Sequence, residues 1–520
     1  MMGSLSCSSA ACHGQPADRS TSVTPRGREF TEWLAHDPHA HTGKLLQQPA
    51  YQALLSAAIQ QARDAGQSPA SVTARCATCH DPANLASARP VAQSSTGAPS
   101  QTLTPVPAPT GAGGVGCEAC HGPAERWLAT HYQRGSTPQS RAAEGWLDLS
   151  QLTVRARICA KCHLGDATGH VDHDLLAIGH PPLRFELSAY HDLIRRAHWT
   201  EDGRVRTPAF KLRLWQAGQW AAIDATLELL SWRATQAMQQ NNSPAGVPPV
   251  RAGQLSRDFP WPEFAEYDCF ACHQRLRGRA TLPVNNTRRI AGVPSWQPWN
   301  LGLLGRHAAP ADSPWSASAG AVPTSPAWVA LRQLMQRRLL VEPQDVPSAV
   351  QAAQAAWRHV ADDPRFVPRH SESSDSWSVE FDSLLQYLGA LPAQPLDWHD
   401  ACQRLLALKA AHWSLRDAAA RAHRQSFQAL SPAEKPPDFS RDFQQLSYAL
   451  GFGARDFDWP RLDWQGLPQP VTASAFQNWE EVGVELRRLA LEMQSRGRDI
   501  AAILRAHPGP VPSPLRAPGT

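Results

Sequence analysis

The sequence predicts a mainly α protein in two parts, and three observations carry that prediction. Cysteine pairs closed by a histidine recur, and all of them lie before residue 274. Beyond about residue 327 the motif is absent, and apolar residues at helical spacing fill the chain. Between the two, a stretch rich in Pro, Ser and Ala from about 310 to 326 reads as a boundary. The organisation expected is a motif-rich domain over 1–310, a linker over 311–326 and a helical domain over 327–520. The first has little regular structure beyond helices and long loops. At 520 residues the chain is too long for one core.

Four motifs follow one rule, Cys-x-x-Cys-His: Cys76/Cys79/His80, Cys117/Cys120/His121, Cys159/Cys162/His163 and Cys269/Cys272/His273. A looser form, Cys7-Ser-Ser-Ala-Ala-Cys12-His13, stands at the start. Two thiols so spaced, followed at once by imidazole, bind a haem three ways. The thiols form thioethers with its vinyl groups, and the histidine becomes an iron ligand. Zinc wants four ligands in a tetrahedron and gives no reason for a histidine after every second cysteine. A disulfide framework gives none either. Ten of the eleven cysteines are used this way, which predicts five haem c groups. Residues 1–310 then become a five-haem domain and 327–520 a haem-free one. Cys402 is left over, and reads as a small apolar residue on a buried helix face.

Composition excludes several classes. A net charge of +4, with 18% charged residues, makes no case for nucleic acid or a membrane surface. No run of 18 apolar residues is present, so no membrane span is expected. The 19 tryptophans suit either a core or the flat faces of haems. Haem attachment takes place outside the cytoplasm, which predicts a periplasmic or other extracytoplasmic location. Met1 to Ser6 is too short for an export signal, so the true start is expected upstream.

Along the chain, Thr24-Pro25 reads as the cap of a helix through Phe30, Trp33 and Leu34, ended at Asp37-Pro38. His36, His39 and His41 cluster there, and His39 is the candidate distal haem ligand. A second helix is predicted over 49–65, from Leu54, Leu55, Ala58 and Ile59. Residues 87–114, rich in Pro, Ser, Thr, Ala and Gly, read as a flexible insertion. The tails His80-Asp-Pro-Ala and His121-Gly-Pro-Ala form a weak repeat. His170, His173, His180, His191 and His198 make the densest histidine region. The five methionines, Met1, Met2, Met238, Met335 and Met493, lie away from every motif, which favours bis-histidine iron and low potentials. His307 is a lower-ranked candidate. Helical patterns continue at 210–238, 328–340, 347–360, 379–389, 398–422 and 476–506. The last opens with Ser474-x-x-Gln477 and presents Val482, Leu486, Leu489 and Met493 on one face. His359, His399, His412 and His423 in this half read as structural.

The stretch Gly116-Cys117-Glu118-Ala119-Cys120-His121-Gly122-Pro123-Ala124 with His131 resembles multihaem cytochromes related to nitrifier tetrahaem cytochrome c and hydroxylamine oxidoreductase. Asp37-Pro38-His39, Asp172-His173 with Gly179-His180-Pro181, and the four-residue spacing of Cys7 and Cys12 resemble the same superfamily. The resemblance covers about residues 7–310. It implies close-packed bis-His haems with distal histidines from remote parts of the chain, here His39, His131, His173, His180 and His198. It does not extend to the C-terminal half. Two functions follow as expectations. One is an electron carrier between redox protein partners. The other is an oxidoreductase with one open-site haem acting on a small nitrogen or sulfur compound. No motif replaces its histidine by lysine, and enough further histidines exist to close every site, so electron transfer ranks first.

Overall fold

The computed structural model describes residues 2–16, 27–64, 68–82, 114–193, 208–241, 261–267, 296, 299–301, 326–336, 341–361, 374–391, 398–426, 439–450 and 479–506. Among these residues no strand forms; an isolated antiparallel bridge joins Tyr267 to Trp296. The mainly α expectation is met. Several sequence expectations lie outside the described residues. They are the whole of the fifth motif (Cys269, Cys272 and His273), the insertion at 87–113, His198, His307 and Ser474/Gln477. The helix expected to start at Thr24-Pro25 starts later, at Glu29, with Arg28 as its N-cap.

The N-terminal helices are short, and their ends follow from local chemistry. Helix α1 (Glu29–His36) buries Trp33 and stops where the Asp37 N–H closes on the Trp33 carbonyl. Pro38 cannot continue an α-helix, and Asp37 instead caps a 3-10 turn (Pro38–His41) by accepting from the His39 N–H. Helix α2 (Thr42–Leu45) follows, then α3 (Pro49–Asp64). In α3 the residues that become buried are Ala58 and Ala62; Leu54, Leu55 and Ile59 are half-buried. Helix α4 (Pro69–His80) is capped by the Ser68 hydroxyl, and α5 (Cys117–His121) is a single turn between two glycines. Helix α6 (Pro138–Ala143) opens with a full capping box of Thr137 and Ser140. Then come α7 (Leu152–His163), α8 (His173–Ala177) and α9 (Leu187–Leu193). Motifs two, three and four each occupy the last residues of a helix, α4, α5 and α7, with the histidine as its final residue.

Helix α10 (Phe210–Asn241) packs against two sets of helices. One side packs on α7 and α9, where Phe210, Leu214, Ala217 and Ala221 meet Ala156, Ala160, Leu164, Phe185 and Leu187. Its other side, with Trp215, Ile223, Leu227 and Leu230, enters a larger core shared with the C-terminal helices. Those are α11 (Pro326–Gln336), α12 (Val346–Ala361), α13 (Ser374–Ala390), α14 (Trp398–Ser426), α15 (Ser440–Ala449) and α16 (Trp479–Ala506). Tyr267, Trp296, Trp299 and Leu301, from before the expected linker, are part of that same core.

Helix α14 is central: from Trp398 to His412 every residue is buried. Its polar groups are paired inside, Asp400 with Arg404 at 2.7 Å and Gln403 with Gln219 of α10 at 3.2 Å. Helix α16 lies across α13 and α14 and buries Val482, Leu486, Leu489 and Met493, the face read from the sequence. Cys402 is fully buried in this core. No helix among the described residues is long and apolar enough to cross a membrane.

Candidate functional site: paired histidines around the cysteine motifs

The first motif is braced by α1. The Phe30 N–H donates to the His13 carbonyl, and His13 Nδ1 bonds Glu29 Oε2, both at 2.9 Å. That bond to a carboxylate raises the His13 pKa, against the effect of burial. The His13 ring faces His131, with centroids 6.3 Å apart and planes at 16°. His131 Nδ1 sits 2.9 Å from the Leu128 carbonyl and 3.2 Å from that of Trp127.

Two more pairs repeat the arrangement. At the end of α7, His163 faces His39 at 6.0 Å and 84°. His39 Nδ1 is bonded to Asp37 Oδ1 at 2.8 Å. Burial works against its protonation, but the Asp37 bond and charge prevail and its pKa is raised. His163 is pushed down to about 3 by burial, then by the nearby His39 and His80. At the end of α4, His80 faces His180 at 6.5 Å and 73°, and His180 Nδ1 is bonded to the Pro181 carbonyl at 2.7 Å. Burial lowers the pKa of both. Arg75, one residue before Cys76, pairs with Asp172 and donates to the His170 carbonyl, which fastens α4 to the histidine-rich loop.

These distances have a simple meaning. A metal–imidazole bond is about 2 Å, and the ring centre lies about 1 Å beyond the nitrogen. Two imidazoles on opposite sides of one ion therefore stand with centroids about 6 Å apart. A ligand histidine also normally donates its other ring N–H to a carboxylate or carbonyl, which fixes the tautomer and aims the free nitrogen. His13, His39, His131 and His180 all have such a partner. Each pair joins a motif histidine to one distant in sequence. Among the described residues, no group of three or more His, Cys, Asp or Glu side chains gathers as an ion held by protein alone would need.

At the third motif the His121 ring packs on Trp146 at 4.9 Å. Trp146 also stacks on His131 at 5.9 Å and 15°, and Trp127 meets Trp146 at 4.6 Å. Glu118, inside the motif, is buried and accepts three backbone N–H bonds: from Met2 (2.9 Å), Gly3 (2.7 Å) and Ala124 (2.7 Å). Gly122 follows the histidine at φ +83°, and a Cβ there would lie 2.3 Å from the Gly145 carbonyl oxygen. A glycine is required at that position both for backbone conformation and for space.

The motifs touch one another through their thiols. Cys7 and Cys117 share a hydrogen bond, as do Cys79 and Cys162. The bond from Cys7 lowers Cys117 to about 7. Cys120 is raised, by burial and then by the charge of Cys159, with Cys162 adding to it. Thiol hydrogen bonds therefore join motif one to three and four to two, and the packing of α5 on α7 joins three to four. The fifth motif has no place in this order, because Cys269, Cys272 and His273 fall outside the described residues.

Of the other sequence candidates, His173 donates its backbone N–H to Glu263 at 2.9 Å, and its ring meets Phe264 at 5.8 Å. Phe264 lies five residues before Cys269. The short turn Phe264–Glu266 is fixed to α10 by the buried Arg233–Glu266 ion pair at 2.7 Å, and Glu266 also accepts from the Trp296 Nε1–H. Glu263 is raised to about 7 by burial. Of the clustered His36, His39 and His41, the chosen His39 faces a motif histidine; His36 sits 3.6 Å from Glu32. His191 is buried against Phe210. His399 and His412 are buried in the C-terminal core against Trp398 and Phe443.

Sequence reasoning missed Glu29, Asp37 and Glu118, the carboxylates that orient this region. Only Asp37 carried a local signal, as an Asx cap two residues before His39. No protein-family profile, curated protein or solved structure matches the chain.

Proposed function

We propose that the chain is an extracytoplasmic multihaem c-type cytochrome that carries electrons between redox protein partners. The observation that carries the reading is the set of three histidine pairs at 6.0–6.5 Å, each joining a Cys-x-x-Cys-His or Cys-x4-Cys-His histidine to a remote one. His13 with His131, His163 with His39, and His80 with His180 would be the axial ligands of three haems. His121 and His273 would be the motif ligands of two more, and His173 and His198 remain distal candidates. The ten motif cysteines would hold the five groups covalently, Cys269 and Cys272 holding the fifth on the strength of their spacing alone. The resemblance to the tetrahaem cytochrome c and hydroxylamine oxidoreductase superfamily agrees with this assignment and rests on those motifs.

A bound haem supplies a one-electron iron couple. The chain supplies the rest. Paired imidazoles would both ligate the iron and would favour a low potential over a Met-ligated one. Asp37 and Glu29 each place a carboxylate on the outer nitrogen of a ligand, which raises its basicity. The thiol and helix contacts give a spatial order of motifs, one–three–four–two, that differs from the order in sequence. Cys12, at one end of that order, is exposed, and the His13 side chain is 40% exposed, which makes the first site a point of entry or exit.

Mass spectrometry of the holoprotein, with low-temperature EPR during a cyanide titration, tests the proposal. Five added haem masses and only low-spin signals indifferent to cyanide are expected. A chain without haem would end the reading. A high-spin haem that binds cyanide would replace it with the open-site oxidoreductase.

A further inference from the structure

The helices beyond residue 326 carry no motif, yet they reach one of the histidine pairs. His163, opposite His39, is bounded by two rings. Phe185 lies nearly parallel to it (5.4 Å, 19°), and Tyr190 crosses it (4.8 Å, 71°). An imidazole held through one nitrogen keeps a single soft rotation, about the axis of that bond. One ring stacked on it and another across it fix that rotation.

Phe185 is in turn held from the C-terminal side. Trp299 Nε1–H donates to the Phe185 carbonyl at 3.0 Å. The Trp299 indole packs on Trp398, the first residue of α14, at 5.9 Å. Arg184, next to Phe185, places its guanidinium carbon 5.0 Å over the same Trp398 ring, an arrangement that attracts a cation to the ring face. Trp398 is anchored by its own Nε1–H on the Leu450 carbonyl at 2.9 Å. On the near side, Glu186 caps the start of α9 by accepting from the N–H groups of Ser188 and Ala189. Behind it α7 rests on α10, which is joined to α13 by Arg213–Glu380 at 3.1 Å.

We propose that the C-terminal helices are the positioning element of the fourth site: Trp398, acting through Trp299 and Arg184, holds Phe185 on His163 and so sets the crossed angle between His163 and His39. The inference rests on the reading of these two histidines as axial ligands of one haem. The angle has chemical consequences. The relative orientation of two axial imidazoles sets the splitting of the iron d orbitals, and with it the anisotropy of the EPR signal and the potential. At 84° this pair is crossed, whereas His13 and His131 at 16° are nearly parallel. None of the four supporting residues touches a reacting atom; all are positioning residues.

The test compares full-length wild-type holoprotein with Trp299→Phe, Trp398→Ala and Trp398→Phe, by haem mass, EPR and potentiometric titration. A wild-type protein without haem overturns the electron-carrier reading and this inference together. With haems attached, Trp299→Phe and Trp398→Ala are expected to move one crossed-imidazole signal toward lower anisotropy and to shift one potential. The near-parallel signal stays unchanged, and Trp398→Phe, which retains a ring for Arg184 and Trp299, returns the spectrum toward wild type. Unchanged spectra and potentials in both Trp299→Phe and Trp398→Ala overturn the inference and leave the electron-carrier reading standing. If Trp398→Ala does not fold, Trp299→Phe decides alone.

Discussion

The three N–H bonds that end on Glu118 include two from segments more than a hundred residues away. A hydrogen bond to a charged group contributes about 1.5–3 kcal/mol, and a buried amide left without its acceptor costs about 1–3 kcal/mol. Around this carboxylate, Ser4 Oγ accepts from the Cys117 N–H at 3.3 Å. Glu118→Ala should therefore release residues 2–7 from the third motif and leave the first site poorly formed. Mass spectrometry of the variant is expected to show a population one haem lighter than wild type; full occupancy would show that the anchor is dispensable. His39 shows how the sequence both reveals and hides such detail. Its candidacy followed from a cluster of three histidines, but its choice over His36 and His41 is explained by Asp37, which bonds both its backbone N–H and its ring.

Among the elements, α10 faces neighbours of two kinds, the motif helices on one side and the C-terminal core on the other. Its Arg213 reaches Glu380 of α13, in a site buried enough to raise the Glu380 pKa above its ordinary 4.5 even with the guanidinium beside it. Burial is the larger cause, and Arg213 opposes it. The sign of the pH effect follows. A carboxyl whose folded pKa is raised holds its proton longer in the native state, so its contribution to stability is complete below the unfolded pKa. It is lost as pH rises through the folded value. Glu380→Gln should remove that dependence. Melting temperatures from about pH 4 to pH 7 are expected to fall more for wild type than for the variant; a wild type that gains on the variant over this range would reverse the assignment.

Helices with a one-sided apolar pattern were legible, and α16 buries the four residues named for it. Helix α10 was found within three residues of its end, but not its double role. A helix buried on more than one side, with polar residues mixed among the apolar ones, has no preferred face in the sequence, and only packing shows which neighbour each side meets. Helix α15 was not read at all; it is ten residues long and its buried positions are few.

At the scale of the molecule, the order of the motifs in space is the finding least accessible from sequence, because thiol contacts depend on how α4, α5 and α7 are brought together. A short thiol-reactive cross-linker applied to haem-free chain should join Cys7 to Cys117 and Cys79 to Cys162. A peptide map with links only inside motifs would break the proposed order. The motifs themselves are legible from sequence, since spacing and residue type are local. The pairing of His131, His39 and His180 with particular motifs was not, since the partners are far apart along the chain. His39 to His163 spans 163 − 39 = 124 residues, His13 to His131 spans 131 − 13 = 118, and His80 to His180 spans 180 − 80 = 100.

Motifs two and four have their histidine at the C-terminal residue of a twelve-residue helix. The backbone dipoles of such a helix add up to a partial negative charge at that end, worth about 0.3–1 kcal/mol to a cation placed there. An iron ligated by His80 or His163 would feel it more in the ferric than in the ferrous state. For a one-electron couple that is a lowering of roughly 10–40 mV, built into the backbone and independent of any side chain.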